Sequence, residues 1–353
     1  MQTRCIKIDN ITASKEALHF AGELIRHGDV VAFPTETVYG LGANGLDAEA
    51  CRKIYQAKGR PSDNPLILHV ANRSMIDQVA AKIPEKAEKL LAAFCPGPIT
   101  LILPRKSIVP EQITGGLSTV GVRMPEHDVA RALIAAAGVP IAAPSANISG
   151  RPSPTTAESV LVDMEGKIPM ILDGGACDFG VESTIVDATG EQTVILRPGA
   201  ITKEMLEEVL GEGSVVIDPA LVGADSVPKA PGMKYTHYAP KAPLTLLEGM
   251  PTRMARGFRR EVARLQSEGH KVGVMASHEV LAELKDLVPA DMMADYGPQG
   301  KLPAIAANIY EALRSFDEKD ADVLLGEGTT SEGLGLAIMN RLHKASGFRS
   351  IQA

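Results

Sequence analysis

Residues 30–42 read Val-Val-Ala-Phe-Pro-Thr-Glu-Thr-Val-Tyr-Gly-Leu-Gly, an apolar run followed by a polar, glycine-rich stretch. The run Val30–Phe33 predicts a short buried strand. The stretch Pro34–Gly42 then delivers two hydroxyls and a carboxylate at the end of that strand, which is where α/β proteins bind ligands. A single stretch of this kind is equally typical of an ordinary turn, and it does not match the GxxxxGK[ST] phosphate loop.

Helices and strands mix without strict alternation over residues 1–210, which favours a twisted α/β sheet of mixed strand direction with flanking helices. Apolar residues at helical spacing predict the helices, and short apolar runs predict the strands between them. The predicted helices are 14–27, 47–57, 84–94, 129–137, 155–164 and 203–210. The predicted strands are 30–33, 66–70, 99–103, 119–124, 140–143, 170–172, 184–187 and 194–196.

Residues 211–243 lose this periodicity and are rich in proline and glycine, so we interpret them as a linker. Beyond the linker, residues 244–353 alternate strands and helices strictly, which predicts a smaller, Rossmann-like parallel α/β domain. Its predicted strands are 244–247, 272–276, 291–295 and 322–325, and its predicted helices are 252–267, 278–287, 302–316 and 333–344.

The composition agrees with two folded domains in a chain of 353 residues. Hydrophobic residues make up 45% and charged residues 22%, which excludes disorder as the main state. The apolar runs fall short of the ~20 residues of a membrane span and the start lacks a signal-peptide core, so we expect a cytoplasmic protein. The chain has a net charge of -7, 4% aromatic residues and no Trp. These values count against nucleic-acid binding through phosphate contacts or base stacking.

The four cysteines are widely scattered and form no CxxC pair. Neither a disulfide framework nor a zinc knuckle is therefore indicated. We expect Cys5, Cys51, Cys95 and Cys177 to be buried thiols.

Several further segments place polar or cationic side chains beside predicted strands. Two cations flank a glycine in the segment Lys58-Gly59-Arg60-Pro61-Ser62-Asp63-Asn64-Pro65, which its prolines restrain. This arrangement suits the binding of a phosphate chain. A solvated basic turn would have the same sequence. His69 lies in the strand that follows. A single histidine of this kind is more often half-buried with its hydrogen bonds satisfied than a ligand-binding group.

Arg123 ends the apolar strand Thr119–Met124 and needs an anionic partner, which a ligand carboxylate or phosphate, or an internal Asp or Glu, would supply equally well. Ser145 and Asn147 in Ala143-Pro144-Ser145-Ala146-Asn147 lie on one side of an extended segment, although capping and turn sequences use the same residues. A polar side chain or an arginine again lies beside a predicted strand in the segments Val181–Thr184 and Leu196–Gly199. Five such junctions in one domain favour a binding site.

Taken in order, the segments PTETVYGLG, KGRPSDNPL, VGVRMP, APSANISG, ESTIVD and LRPG resemble the YrdC/Sua5 family. The segment PGMKYTHYAP at 231–240 resembles the linker that precedes the Sua5 C-terminal domain. The resemblance implies a nucleotidyltransferase that joins L-threonine, bicarbonate and ATP into threonylcarbamoyladenylate and pyrophosphate. It also implies that a separate transferase complex places the group on tRNA, at the adenosine beside the anticodon, as t6A.

The resemblance carries site residues over motif by motif. It implies that Lys58 and Arg60 act in catalysis, with Mg²⁺ held through the ATP phosphates and no protein side chain as metal ligand. The ATP contacts that it implies are Lys58, Arg60, Asn64, Thr119, Ser145, Asn147, Ser153 and Arg197, with Tyr235, His237 and Tyr238 as candidates on a linker that closes over the site as a lid. The threonine pocket that it implies is Thr37, His69, Arg123, the backbone at Ala143, and Ser183.

Charge and alignment would dominate this reaction because a carbamate, bicarbonate and a triphosphate are all anionic. Two enzyme-free classes stay open on the sequence: a noncatalytic RNA-binding module and, for the part after residue 243, a structural scaffold. Hydrogenase-maturation carbamoyltransferases contain a related domain, but they are longer and carry the CxxC pairs that this chain lacks.

Overall fold

The computed structural model describes residues 1–221 and 237–353. Their Cα positions divide into two units, of which the first contains residues 1–149 and 154–221 and the second contains residues 150–153 and 237–353. The predicted lid residue Tyr235 lies outside the described residues.

The first unit is built on an 11-stranded sheet. Its strands are β1 (Arg4–Lys7), β2 (Val31–Phe33), β3 (Gly40–Asn44), β4 (Ile67–His69), β5 (Ile99–Pro104), β6 (Thr119–Arg123), β7 (Ile141–Ala142), β8 (Met170–Asp173), β9 (Thr184–Asp187), β10 (Thr193–Arg197) and β11 (Val215–Ile217). Its helices are α1 (Lys15–Arg26), α2 (Ala48–Lys58), α3 (Arg73–Val79), α4 (Glu85–Phe94), α5 (Glu111–Thr114), α6 (Asp128–Ala137), α7 (Ala157–Met164) and α8 (Lys203–Leu210).

The strand order is β1-β8-β2-β3-β7-β4-β6-β5-β9-β10-β11. Neighbours such as β4 and β6 are parallel, whereas β5 and β6 are antiparallel, so the prediction of a mixed α/β sheet is confirmed. Because side chains alternate along a strand, the central strands present two different faces. One face packs Leu68, Leu101 and Val122 into the main apolar core. The opposite face carries a small apolar cluster around Ile67, Ile102 and Ile185.

Local sequence explains where the helices of this unit begin and end. Asp47 caps α2 by accepting hydrogen bonds from the backbone N–H groups of Glu49 and Ala50. Gly59 ends α2 in the left-handed conformation at φ 61°, which glycine adopts without steric cost. Lys58 is therefore fixed as the last residue of a helix rather than placed on a mobile turn.

The second unit contains a five-stranded sheet whose paired strands all run parallel, as predicted. Its strands are β12 (Leu244–Glu248), β13 (Val272–Ala276), β14 (Met293–Asp295), β15 (Val323–Glu327) and β16 (Ser350–Gln352), in the order β14-β13-β15-β12-β16. Its helices are α9 (Pro251–Ser267), α10 (His278–Ala282), α11 (Leu302–Arg314) and α12 (Leu334–Ser346).

Two expectations differ from the structure. Strand β11 pairs with β10 inside the stretch interpreted as linker, so the first sheet extends to Ile217. Cys51 and Cys177 are buried and Cys95 is half-buried, but Cys5 is exposed, because β1 lies at the edge of the sheet and most of its residues face solvent. In the parts of the chain that the structure describes, the helices are too short or too polar to span a bilayer.

Candidate functional site

Strand pairing places the predicted polar residues of the first unit in a row across one face of the sheet. His69 on β4 is in register with Arg123 on β6, and Arg197 on β10 is in register with Ile185 on β9. Thr100 on β5 lies between these pairs and is itself in register with Ile185. The row therefore crosses five adjacent strands, from β4 to β10, on the face that carries the small apolar cluster.

Hydrogen bonds connect the β9 end of this row. The Ser183 hydroxyl lies 2.8 Å from that of Thr100, and Arg197 donates to Ser183 through Nη2 to Oγ at 3.0 Å and through Nε to the carbonyl oxygen at 3.1 Å. Ser183, predicted for threonine, and Arg197, predicted for ATP, are thus direct neighbours. All three side chains are buried or nearly so.

His69 is buried and adds no positive charge to the face. Burial, followed by the neighbouring Arg123 guanidinium, lowers the pKa of His69 to about 3. Its Nδ1 lies 3.3 Å from the Ile67 carbonyl oxygen, and its ring stands edge-on to Phe33 with centroids 6.0 Å apart. His69 is therefore a neutral imidazole at neutral pH, with its position set by the strand and by Phe33.

Arg123 pairs with Glu36, a residue that the sequence did not assign to the site. Arg123 Nη2 lies 2.8 Å from Glu36 Oε2, and the two side chains are 5% and 2% exposed. The sequence left two kinds of anionic partner open for Arg123, a ligand group and an internal carboxylate. The structure shows the internal carboxylate, which is that of Glu36. The available signal was a charged residue inside the otherwise uncharged stretch 30–42.

The stretch after β2 contributes hydroxyls next to this pair. Thr35 and Thr37 are buried, and their Oγ1 atoms lie 2.9 Å apart. The Glu36 carbonyl oxygen accepts a hydrogen bond from the Phe179 N–H at 2.9 Å. Thr37 and Glu36 are thus held in one rigid loop rather than on a flexible turn.

Lys58 is joined to the Ser145/Asn147 segment. Its Nζ donates to the Ser145 carbonyl oxygen at 2.5 Å and also to the Asn147 carbonyl oxygen. Ser145 Oγ donates to Asn147 Oδ1, which confirms that the two side chains lie on one side of the segment. The Lys58 side chain is only 1% exposed, so the solvated-turn interpretation is wrong for this residue.

The same segment is attached to the sheet. The Ala143 N–H donates to the Ile67 carbonyl oxygen at 2.9 Å, and Ser145 forms an isolated β-bridge with Gly40. Backbone hydrogen bonds therefore connect the predicted threonine contact Ala143 with β4 and with the loop that carries Thr37. The residues predicted for threonine and those predicted for ATP are therefore part of one hydrogen-bonded framework.

Arg60, Asn64 and Thr119 complete the predicted set in this unit. Arg60 Nη2 donates to the Pro65 carbonyl oxygen at 3.1 Å. Asn64 is buried, and its Oδ1 accepts no hydrogen bond from the described residues. Thr119 lines a small cavity together with Gly121, Ile67, Ile102 and Ile185, which gives the polar row an apolar floor.

The remaining predicted contacts belong to the second unit. Ser153 is grouped with that unit, as are His237 and Tyr238. The Tyr238 ring stacks on Tyr310, with centroids 5.2 Å apart, and the His237 ring lies 5.5 Å from Tyr238. A contact of these residues with ATP stays a prediction.

Two protein-family models match this chain and together cover most of it. The family model described as "Telomere recombination", named for Sua5, YciO and YrdC, matches residues 23–199, and the "Threonylcarbamoyl-AMP synthase, C-terminal domain" model matches residues 201–347. The chain belongs to the Sua5 family. The resemblance to YrdC/Sua5 proteins that the motifs indicated is thereby confirmed.

Sua5 relatives align over almost the whole chain. A protein named threonylcarbamoyl-AMP synthase from Pyrococcus abyssi is 49% identical over 95% of both chains, and one from Bacillus subtilis is 47% identical over 98% of this chain and 97% of its own. The crystal structure of P. abyssi Sua5 complexed with L-threonine superposes with a TM-score of 0.93 at 47% identity, covering 99% of this chain and 100% of that one.

Proposed function

We propose that this member of the Sua5 family is a threonylcarbamoyl-AMP synthase. It would join L-threonine, bicarbonate and ATP into L-threonylcarbamoyladenylate and release pyrophosphate. The proposal rests on the row of polar side chains on one face of the sheet, which are His69, Arg123, Ser183 and Arg197. A backbone hydrogen bond to β4 connects this row to the segment that Lys58 contacts. The relatives named for this activity, and the L-threonine bound to one of them, support the choice of reaction and substrate.

The proposed division of the site follows its chemistry. Arg123, Thr37, Ser183, His69 and the backbone at Ala143 would surround threonine, because this group of residues combines a guanidinium with buried hydroxyls. The cationic, amide and hydroxyl groups at the other positions would hold ATP through its phosphates and ribose. Those positions are Lys58, Arg60, Asn64, Thr119, Ser145, Asn147 and Arg197.

The reaction needs no protein nucleophile. The threonine amine first forms a carbamate with bicarbonate, and water leaves. A carbamate oxygen then attacks the α-phosphorus of ATP, the bond to the bridging oxygen breaks, and pyrophosphate departs. Since every reacting group is anionic, the protein accelerates the step by alignment and by positive charge, for which Lys58 and Arg60 are the proposed catalytic residues.

Mg²⁺ would enter with the triphosphate as part of the substrate. Within residues 1–221 and 237–353, no group of three or more His, Cys, Asp or Glu side chains could hold a metal ion. In this proposal phosphate oxygens and water supply the ligands, which is how Mg²⁺ is usually bound at nucleotide sites.

The adenylate product would pass to a tRNA threonylcarbamoyl transferase complex, which would place the group at the adenosine beside the anticodon as t6A. The net charge of -7 fits a protein that prepares an activated group without itself gripping tRNA. A cytoplasmic location would follow from this role.

The decisive experiment measures pyrophosphate release with threonine, bicarbonate or ATP omitted in turn. We expect release only when all three are present, together with a new adenylate that contains the carbon of labelled bicarbonate. Release that does not require threonine would contradict the proposal. Salt-dependent binding of tRNA without any pyrophosphate release would instead favour the RNA-binding alternative.

A further inference from the structure

The buried pair of Arg123 and Glu36 is costly to the protein on its own. Moving two charged groups out of water costs several kcal/mol per ion, and their attraction offsets this only when further hydrogen bonds satisfy the remaining polar atoms. Such pairs are therefore weak stabilisers. A buried pair with unused hydrogen-bonding atoms is instead a candidate for ligand recognition.

The Arg123–Glu36 pair has such unused atoms. Both carboxylate oxygens of Glu36, and Nε and Nη2 of Arg123, are buried and make no hydrogen bond to the residues that the structure describes. The 2.8 Å contact between Nη2 and Oε2 is an ion contact without hydrogen-bond alignment. Buried donors and acceptors without partners normally destabilise the folded state, so their retention requires an explanation.

We propose that Glu36 binds the ammonium group of the α-amino acid substrate while Arg123 binds its carboxylate. The inference rests on the proposed function and assigns the substrate ammonium to a named residue. An α-amino acid carries its two charges on either side of one carbon atom, so a carboxylate and a guanidinium in contact are the matching pair. His69, in register with Arg123, is neutral and does not repel the ammonium.

The neighbouring groups agree with an amino acid in this position. Glu36 lies between Thr35 and Thr37, whose hydroxyls are 2.9 Å apart and suit a polar ligand group. The Phe179 N–H bond to the Glu36 carbonyl oxygen fixes the backbone from which the carboxylate extends. The pocket would accordingly select an acid that carries an amine over the same acid without one.

The experiment compares two ligands that differ only in the amine, L-threonine and 3-hydroxybutyrate, by calorimetry on the full chain. The wild-type protein is expected to bind threonine at least ten times more tightly. Glu36→Gln should weaken threonine binding by ~10- to 100-fold, the value of a charge-assisted hydrogen bond. Binding of 3-hydroxybutyrate should stay within twofold, so that discrimination between the ligands disappears.

The matched control is Glu126→Gln, which removes the same charge from an exposed position three residues from Arg123 and should change neither affinity. ATP affinity serves as the check that each variant is folded. If Glu36→Gln does not fold, Glu36→Asp keeps the charge on a side chain shorter by one CH₂ and should retain part of the discrimination.

A parallel loss of both ligands in Glu36→Gln would overturn the proposal, because it would mean that Glu36 only positions Arg123. Unchanged threonine affinity would overturn it as well. A wild-type protein that binds ATP but neither acid would contradict the threonine pocket, and with it the proposed function, rather than the assignment of Glu36 alone.

Discussion

Lys58 is the last residue of α2, and its ammonium group turns inward to two carbonyl oxygens of the segment that carries Ser145 and Asn147. This gives the lysine two tasks in the proposed reaction. It fixes the segment, and it brings a positive charge to a site whose substrates are anionic.

Lys58→Met keeps most of the side-chain volume and removes the charge. We expect kcat for pyrophosphate release to fall by ~100-fold or more, with a smaller change in KM for ATP, because the charge acts mainly on the transition state. Steady-state kinetics checks this, with the exposed Arg52→Ala of the same helix as the control. An unchanged kcat with a raised KM would refute the catalytic role.

His69 should make folding stability depend on pH. Its folded pKa of about 3 lies below the usual value of 6.5, so the unfolded chain binds the proton more tightly. This contribution to stability is complete above pH ~6.5 and is lost as the pH falls toward 3, by at most ~1.4 kcal/mol per pH unit.

Urea titrations between pH 4 and 7 should therefore show wild-type stability falling faster with acid than that of His69→Gln. The exposed His19→Gln provides the control and should follow the wild type. Parallel pH profiles for wild type and His69→Gln would show that His69 is not held neutral in the folded state.

At this scale the sequence predicted where Lys58, Arg123 and Ser145 stand in the fold but not the partner of Arg123. Lys58 ends α2, Arg123 ends β6 and Ser145 follows β7, as the order of predicted elements indicated, whereas their contacts with substrates stay predictions. Glu36 comes to Arg123 only through the order of strands in the sheet, and strand order depends on contacts far apart in the chain. No local pattern could have paired the two residues.

Among the elements, β6 decides the shape of the apolar floor through Gly121. A Cβ at this position would lie 3.2 Å from Thr100 Cγ2 and 3.4 Å from Ile67 Cγ1, on the face that carries the polar row. Glycine therefore lets Thr100 and Ile67 pack closely against β6 beside Thr119, the predicted ATP contact.

Gly121→Val would press methyl groups against Thr100 and Ile67 in this closely packed part of the face. We expect ATP affinity to fall at least ~10-fold and threonine affinity to fall less, because the added methyl groups cover the part of the face assigned to the nucleotide. Gly190→Val, at an exposed position where a Cβ would make only an ordinary contact of 3.8 Å with the Gln192 carbonyl oxygen, is the control. Equal losses for both ligands would place the nucleotide elsewhere.

Elements with clear periodicity were predictable, and those that depend on their neighbours were not. Helix α2 begins and ends within one residue of its prediction because Asp47 and Gly59 cap it. Strand β3 was missed because its glycines are typical of turns. The structure shows why they are needed, since a Cβ on Gly42 would lie 2.6 Å from Ile141 Cγ2. Only the packed sheet supplies that constraint.

At the scale of the whole molecule, the two units differ in the strand directions of their sheets. The first is a mixed sheet with helix-covered cores, and the second is a parallel sheet with its own core around Phe258 and Val274. Strict alternation made the second unit predictable from sequence. The extent of the first was harder to predict, because β11 is a short strand within a stretch rich in proline and glycine.

The row of site residues also bears on how the protein folds. It joins β4, near residue 69, to β10, near residue 197, so its contacts are long-range and form slowly compared with local helices. A ligand that touches the whole row recognises only the finished sheet and stabilises it by mass action. Under the proposed function, substrate binding would therefore stabilise the completed sheet, and the native protein would resist unfolding more strongly when substrate is present.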